Sequence, residues 1–258
     1  MKKLIILTLL LVSTKWSYAG TITTAFSPLG NIAFSSGAVA GGGGASGFSV
    51  IASTIASSSN GNSITTPAID TTGAKLIVLG FTFFSGGSQT DPPTITDSKS
   101  NVWTALAVSS VTSNMASIIY YSTNPIVGSG HTFTESASNS FPTIAVLAVS
   151  GGLTPNVFDQ QNGNNDNGGG SSIQTNPVTP SADSELIVTV LNNDGSTITN
   201  SINSSFIISN QIYPPNGNSY DTGLAYIING AGTSGTPVNP TWSTPASFTQ
   251  STRIATFK

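Results

Sequence analysis

Apolar residues along this chain fall in short, dense blocks separated by Gly, Pro, Ser, Asn and Asp. The longest block, Lys75-Leu76-Ile77-Val78-Leu79-Gly80-Phe81-Thr82-Phe83-Phe84, is apolar at nearly every position. Such a run predicts a central strand covered on both faces. Val102 to Val108, Ile118 to Tyr121, Thr143 to Val149, Glu185 to Leu191, Phe206 to Ile212, Leu224 to Ile228 and Arg253 to Phe257 predict further strands. Between them stand Ser-Gly-Gly, Asp-Pro-Pro, Asn-Gly and Pro-Pro-Asn-Gly, all turn chemistry. Fourteen prolines and 27 glycines break any amphipathic helix of useful length. The pattern predicts an all-β protein, an antiparallel β-sandwich.

The blocks also recur in order. Ser63-Ile64-Thr65-Thr66-Pro67 leading to Leu76-Ile77-Val78 is matched by Ser172-Ile173-Gln174-Thr175 leading to Leu186-Ile187-Val188. Thr94 to Ser98 matches Thr197 to Ser201, Ile118 to Tyr121 matches Leu224 to Ile227, and Ile144 to Leu147 matches Ile254 to Phe257. A constant spacing of about 105 residues implies a duplication. The expected division is a β-sandwich repeat at 47–152 and a second at 153–258, of jelly-roll or immunoglobulin-like type. They form either two tandem sandwiches or one pseudo-symmetric body.

The N-terminus reads differently. Met1-Lys2-Lys3 is cationic, Leu4 to Val12 is apolar except for Thr8, and Ser17-Tyr18-Ala19 places small residues before Gly20. This is the three-part pattern of a secretory signal peptide over 1–19, and its apolar part is too short to span a bilayer. Residues 20–46, ending in Gly41-Gly42-Gly43-Gly44, read as a Gly/Ser-rich spacer with one short strand near Ile32 to Phe34. The chain is therefore expected to be secreted to the medium or the cell surface, with the periplasm as the other destination. No transmembrane segment is expected after cleavage.

Composition narrows the partners. Charged residues make up only 7% of the chain, so Ser, Thr, Asn and Gln must supply the polar surface. Of the seven cations, Lys2, Lys3 and Lys15 lie in the leader, leaving four against ten acids. Nucleic acid, which needs clustered cations to displace counterions, is not an expected partner. The chain has no cysteine, which excludes disulfides and thiolate metal sites.

Residues 66–78 (Thr-Pro-Ala-Ile-Asp-Thr-Thr-Gly-Ala-Lys-Leu-Ile-Val), 96–106 (Thr-Asp-Ser-Lys-Ser-Asn-Val-Trp-Thr-Ala-Leu), Tyr-Tyr-Ser-Thr-Asn-Pro at 120–125, His-Thr-Phe-Thr at 131–134 and the strand at 144–151 form an ordered set. In this set the chain resembles uncharacterised secreted β-sandwich repeats of bacterial and phage-derived surface proteins. The resemblance covers roughly residues 48–258 and implies a fold but no activity, so it assigns no site residue.

The chemistry that can be sought is limited. His131, the only histidine, follows Gly128-Ser129-Gly130 and is expected at the solvent-facing start of a strand. No Gly-x-Ser-x-Gly elbow accompanies it, so a nucleophilic triad is not expected. Oxygen ligands leave calcium as the metal to consider. The densest oxygen set is Asp159, Asn162, Asn164 and Asp166, within a stretch that otherwise reads as a flexible connector. Asp91, Asp97, Glu135, Asp159, Asp183, Glu185, Asp194 and Asp221 are the carboxylates from which a glycosidase pair could be drawn. For glycan binding, Tyr213 and Tyr220 flank a long turn and Trp242 is a third aromatic. Trp103, in an apolar block, is expected in the core.

These readings favour an exported, non-enzymatic structural or adhesive surface protein without a required cofactor. Its expected partners are glycans, other surface proteins, or further copies joined through strand edges. A carbohydrate-binding module assisted by calcium is the second reading. A glycoside hydrolase or lyase is the third, and an outer-membrane barrel a minor fourth.

Overall fold

The computed structural model describes residues 47–58, 63–84, 91–109, 115–136, 140–152, 156–166, 169–195, 199–212, 220–230, 232–244 and 249–258. The leader, the spacer and Tyr213 lie outside these residues. Every regular element described is a strand. Those of the first half are β1 (Ser49–Ser57), β2 (Ile64–Thr65), β3 (Leu76–Phe84), β4 (Ile95–Asp97), β5 (Thr104–Ala105), β6 (Met115–Thr123), β7 (Phe133–Glu135) and β8 (Ser140–Ser150). Those of the second are β9 (Phe158–Asp166), β10 (Ser172–Gln174), β11 (Leu186–Asp194), β12 (Ser201–Ile202), β13 (Ile207–Ile212), β14 (Tyr220–Ile228), β15 (Thr241–Ser243) and β16 (Gln250–Phe257).

The first half builds a five-stranded sheet in the order β1-β8-β3-β6-β5 and a three-stranded sheet β2-β7-β4. Adding eight to each number gives the second half: β9-β16-β11-β14-β13 and β10-β15-β12. All strand pairings are antiparallel. The sheets keep open edges at β1, β5, β9 and β13 and do not close into a barrel.

Three buried clusters stack these sheets into four layers within one compact unit, Gly43–Lys258. The outer two fill each half. Ile77, Leu79, Phe81 and Phe83 of β3 face Ile64, Ile95 and Phe133 of the small sheet. Ile187 and Leu191 of β11 face Ile173 and Trp242. The middle cluster joins the halves, with Leu76, Val78, Ile119 and Leu147 packed on Leu186, Val188, Leu224 and Ala255. Strands β3 and β11 are thus covered on both faces, which is why their sequences lack polar alternation. A fully buried Leu, Ile or Phe contributes about 1.5–3 kcal/mol, so the twin central strands anchor the unit.

The middle layer is not apolar throughout. Toward the C-terminal ends of β3 and β11 it turns to hydroxyls and amides. Ser117 meets Ser251 at 2.8 Å, and the Asn192 amide donates to the carbonyls of Phe83 and Ala116 at 3.1 and 2.9 Å. At Gly80 the two sheets come so close that a Cβ would sit 2.9 Å from a methyl of Val190.

The Asn/Gln-rich stretch expected as a flexible connector is instead β9, an edge strand paired along β16. Its amides make it a strand. Gln160, Asn162 and Asn164 each donate to a backbone carbonyl of the neighbouring 174–179 segment, at 2.6, 2.9 and 2.9 Å. Side-chain hydrogen bonding there replaces the apolar burial that strand patterns report.

Candidate functional site

A polar network of the first half centres on Asp97, at the end of β4. Its Oδ1 accepts the Lys99 N–H at 2.7 Å and the Asn101 amide at 3.3 Å, and its Oδ2 accepts the Trp103 indole N–H at 2.8 Å. His131 bridges Ile69 just before β7 and brings Nε2 to 3.1 Å from Asp97 Oδ1, with both side chains wholly buried. On the other side of the ring, Nδ1 lies 2.9 Å from the Thr71 hydroxyl, which accepts the Gly128 N–H at 3.1 Å. Both ring nitrogens thus face side-chain oxygens. Phe133 stacks on the imidazole at 4.4 Å, and Trp103 meets Phe133 edge-on. Burial pushes the His131 pKa below its ordinary value, against the opposing pull of Asp97.

His131 is therefore not the solvent-facing histidine expected. It is enclosed because Asp97, distant in sequence, and Phe133 close over it. Thr71, His131 and Asp97 line up as hydroxyl, imidazole and carboxylate, the order of a nucleophilic triad. Here the hydroxyl is itself fully buried and bound to the Gly128 backbone.

What the network does is hold a loop. Asn101, pinned by Asp97, donates to the Ile126 carbonyl at 3.1 Å and accepts the Ile126 N–H at 2.5 Å. The two joined loops present Val102, 85% exposed, and Ile126, 62% exposed. Between them lies a shallow hollow lined by Ser100, Asn101, Thr104, Ser122, Thr123 and Asn124. Ser100 and Asn124 hold positive φ values of 61° and 47°, so this surface keeps two strained backbone positions.

The second half lacks this device. Ile95 and Ile202 occupy corresponding places, opposite Glu135 and Trp242, as do Thr104 and Ile207, opposite Tyr121 and Tyr226. The connection is thus eight residues (96–103) in the first half and four (203–206) in the second. Val238, bridged to Val178, stands where His131 bridges Ile69. The Thr-Asp-Ser-Lys-Ser-Asn-Val-Trp motif was the visible signal for this loop, but nothing local joins it to His131.

The residues proposed for ligands are dispersed. Trp242 is not a surface platform. It is fully buried, its indole N–H donates to Thr189 at 3.2 Å, and its ring covers Gly223 so closely that a Cβ there would lie 2.9 Å away. It stands on β15, opposite Ile173, with its ring turned inward. Tyr220 is half-buried against Phe84 and Phe141, ring centroids 5.2 and 4.6 Å away. Tyr213 is outside the described residues. Trp103 packs at the edge of the first core, as expected.

Asp159, Asn162, Asn164 and Asp166 all lie on β9 but are directed to different partners. Asp159 pairs with Lys258 at 3.1 Å and accepts the Ser181 hydroxyl, Asn162 and Asn164 reach separate carbonyls, and Asp166 accepts the Gly170 N–H at 3.1 Å. Among the described residues no three His, Asp or Glu side chains are grouped to hold a metal ion.

The other carboxylates are mostly structural. Asp70 accepts the Thr72 N–H and hydroxyl, which lower its pKa, and Asp183 accepts the Ser234 N–H at 2.8 Å. Glu185 is wholly buried, accepts the Ala182 N–H, and is held above the usual carboxylate range by burial and by nearby Asp159.

Comparison with family models, with curated proteins and with solved structures finds no match for the chain. The class that fold and geometry define is an all-β protein of layered antiparallel sheets.

Proposed function

We propose that this is an exported, non-enzymatic structural or adhesive protein of the cell surface or extracellular space, built by duplication of one eight-stranded unit. The observation that carries the reading is the enclosed Asp97–His131 network, whose groups fix a loop instead of facing a cleft. A preorganised tip with exposed Val102 and Ile126 over a polar hollow suits contact with another surface, because ordering costs are met before binding. The nearly uncharged Ser/Thr/Asn skin and the leader pattern add support, as do the strand orders of the halves. The open edges of β1 and β13 offer a further route to self-association.

The test has two arms. The full chain is expressed with its leader, and the exported form is sequenced from its N-terminus; cleavage after Ala19 is expected, and an unprocessed cytosolic chain sinks the exported reading. Purified protein carrying both Val102→Asp and Ile126→Asp is then compared with wild type for adhesion to cells of the producing organism. A tenfold or greater loss at unchanged Tm is expected; full adhesion by the variant sinks the contact-surface reading.

The half-buried cluster Phe84–Phe141–Tyr220 favours a second reading, a carbohydrate-binding module. Phe141 holds a φ of 53°, an unusual conformation for a bulky residue at a surface cluster. A glycan array probed with wild type and Tyr220→Ala decides it: binding lost in the variant supports a sugar platform.

A further inference from the structure

One row of side chains in the second half has no counterpart in the first. Asp221 of β14 stands directly opposite Asn193 of β11, and Asn193 directly opposite Gln250 of β16. Directly opposed residues lie about 5 Å apart, so the three form a continuous row across neighbouring strands. All three point to the side covered by β10, β15 and β12. Asp221 follows the alternation of Gly223 and Ala225, which face Trp242 and its cluster, and Asn193 that of Ile187 and Leu191. Gln250 reaches Thr244, next to β15.

Each member is almost wholly buried: Asp221 and Asn193 are 1% exposed and Gln250 0%. Each keeps an oxygen with no hydrogen-bond partner: Asp221 Oδ1, Asn193 Oδ1 and Gln250 Oε1. The Gln250 orientation is fixed, because its Nε2 donates to the Gly170 carbonyl at 2.8 Å and to the Thr244 hydroxyl at 2.7 Å. Its oxygen is thus held on the open side. From the covering sheet, Asn200 lies two residues before Ile202, whose side chain packs inward. Asn200 is 1% exposed, and neither its oxygen nor its nitrogen has a partner.

The set is rich in acceptors and poor in donors. It includes a carboxylate, that of Asp221, buried with an oxygen that has no hydrogen-bond partner. The four Lys and Arg residues beyond the leader do not serve it. Arg253 lies on the other face of β16, donating to Ala107 O; Lys258 pairs with Asp159; Lys75 and Lys99 belong to the first half. The fold does not demand polar groups here. The pair corresponding to Asn193 and Asp221 in the first half is Phe83 opposite Ala116, both buried and apolar.

We propose that Asp221, Asn193 and Gln250, roofed by Asn200, form a calcium site between the two sheets of the second half. A hard cation takes carboxylate, amide and backbone oxygens together, and calcium tolerates the irregular shell such a row provides. Water alone is the poorer occupant, since one molecule brings two protons to four acceptors.

The test uses the full exported chain, stripped with EGTA and titrated with calcium chloride. Calorimetry should show saturable binding at one site per chain, and calcium should raise Tm by several degrees. Asp221→Asn should weaken binding at least tenfold. Because that variant can fail to fold, Asn193→Phe with Asp221→Ala is made beside it. It installs the first half's apolar pair and should fold without any response to calcium. Asp159→Asn, on the other oxygen-rich stretch, should leave binding unchanged. No binding by wild type, retained binding in the apolar double variant, or loss of binding in Asp159→Asn would each overturn the proposal.

Discussion

Thr82 and Thr222 meet hydroxyl to hydroxyl at 2.5 Å, both about 1% exposed, one from each half of the chain. With Ser117–Ser251 and the Asn192 amide they form a polar seam through an otherwise apolar interface. A hydrogen bond across a dry interface adds modest stability but punishes mispairing, because an orphaned hydroxyl keeps its full desolvation cost.

Thr82→Val or Thr222→Val alone should therefore destabilise by about 1–2 kcal/mol, and the two together by less than their sum. Urea denaturation of the three variants and wild type supplies the double-mutant cycle. Strict additivity would mean that the hydroxyls do not interact.

The close approach at Gly80 gives a second prediction. A methyl at this position meets Val190 at 2.9 Å and Leu224 at 3.0 Å, both in the middle of a packed sheet. Gly80→Ala should cost about 1–3 kcal/mol through overpacking, and adding Val190→Ala should recover part of it. A Gly80→Ala protein with an unchanged urea midpoint would show that the sheets can separate there without cost.

The strands around this contact were the legible part of the fold. Leu76–Phe84 announces itself because both faces are covered, and Leu186 onward does the same. β9 was illegible because amides satisfying a neighbouring backbone leave no apolar period. The two halves share a strand order, but the sequence matches do not follow its register. Sequence matching sets Ile118 against Leu224, whereas the sheet pairings set Ile119 there, since Gly80 faces Ile119 as Val190 faces Leu224. Runs of Ile, Ala and Tyr score equally when slid by one residue; the packed faces do not, since a one-residue slip exchanges inside for outside. His131 was misplaced for a related reason: its burial depends on Asp97 and Phe133, which no local pattern connects to it.

Trp242 lends itself to a spectroscopic check. It and Trp103 are the tryptophans of the described residues, and Trp242 is enclosed under the small sheet. In Trp103→Phe protein lacking residues 1–19, and with them Trp16, the emission should be blue-shifted and resist iodide quenching, turning red and quenchable only on unfolding. Trp242→Ala should cost about 3–5 kcal/mol, the range for removing a large buried aromatic. Free quenching in the native state would return Trp242 to the surface.

The buried imidazole makes the last prediction one of sign. Burial depresses the His131 pKa below the ordinary 6.5, so near and below that pH the unfolded chain binds a proton that the folded chain refuses. Stability from the neutral ring is fully present above pH 6.5 and is lost as pH falls toward the folded-state value. Asp221 and Glu185 shift the opposite way, Asp221 to about 7, so the wild-type curve alone does not isolate the histidine. His131→Val, which places the second half's residue in the first, removes the imidazole titration together with the ring's contact to Asp97. The stability of wild type minus that of the variant should be constant from pH 8 to about 7 and shrink steadily toward pH 5. A difference that grows on acidification would mean that the native state takes up the proton, with the Asp97 carboxylate outweighing burial.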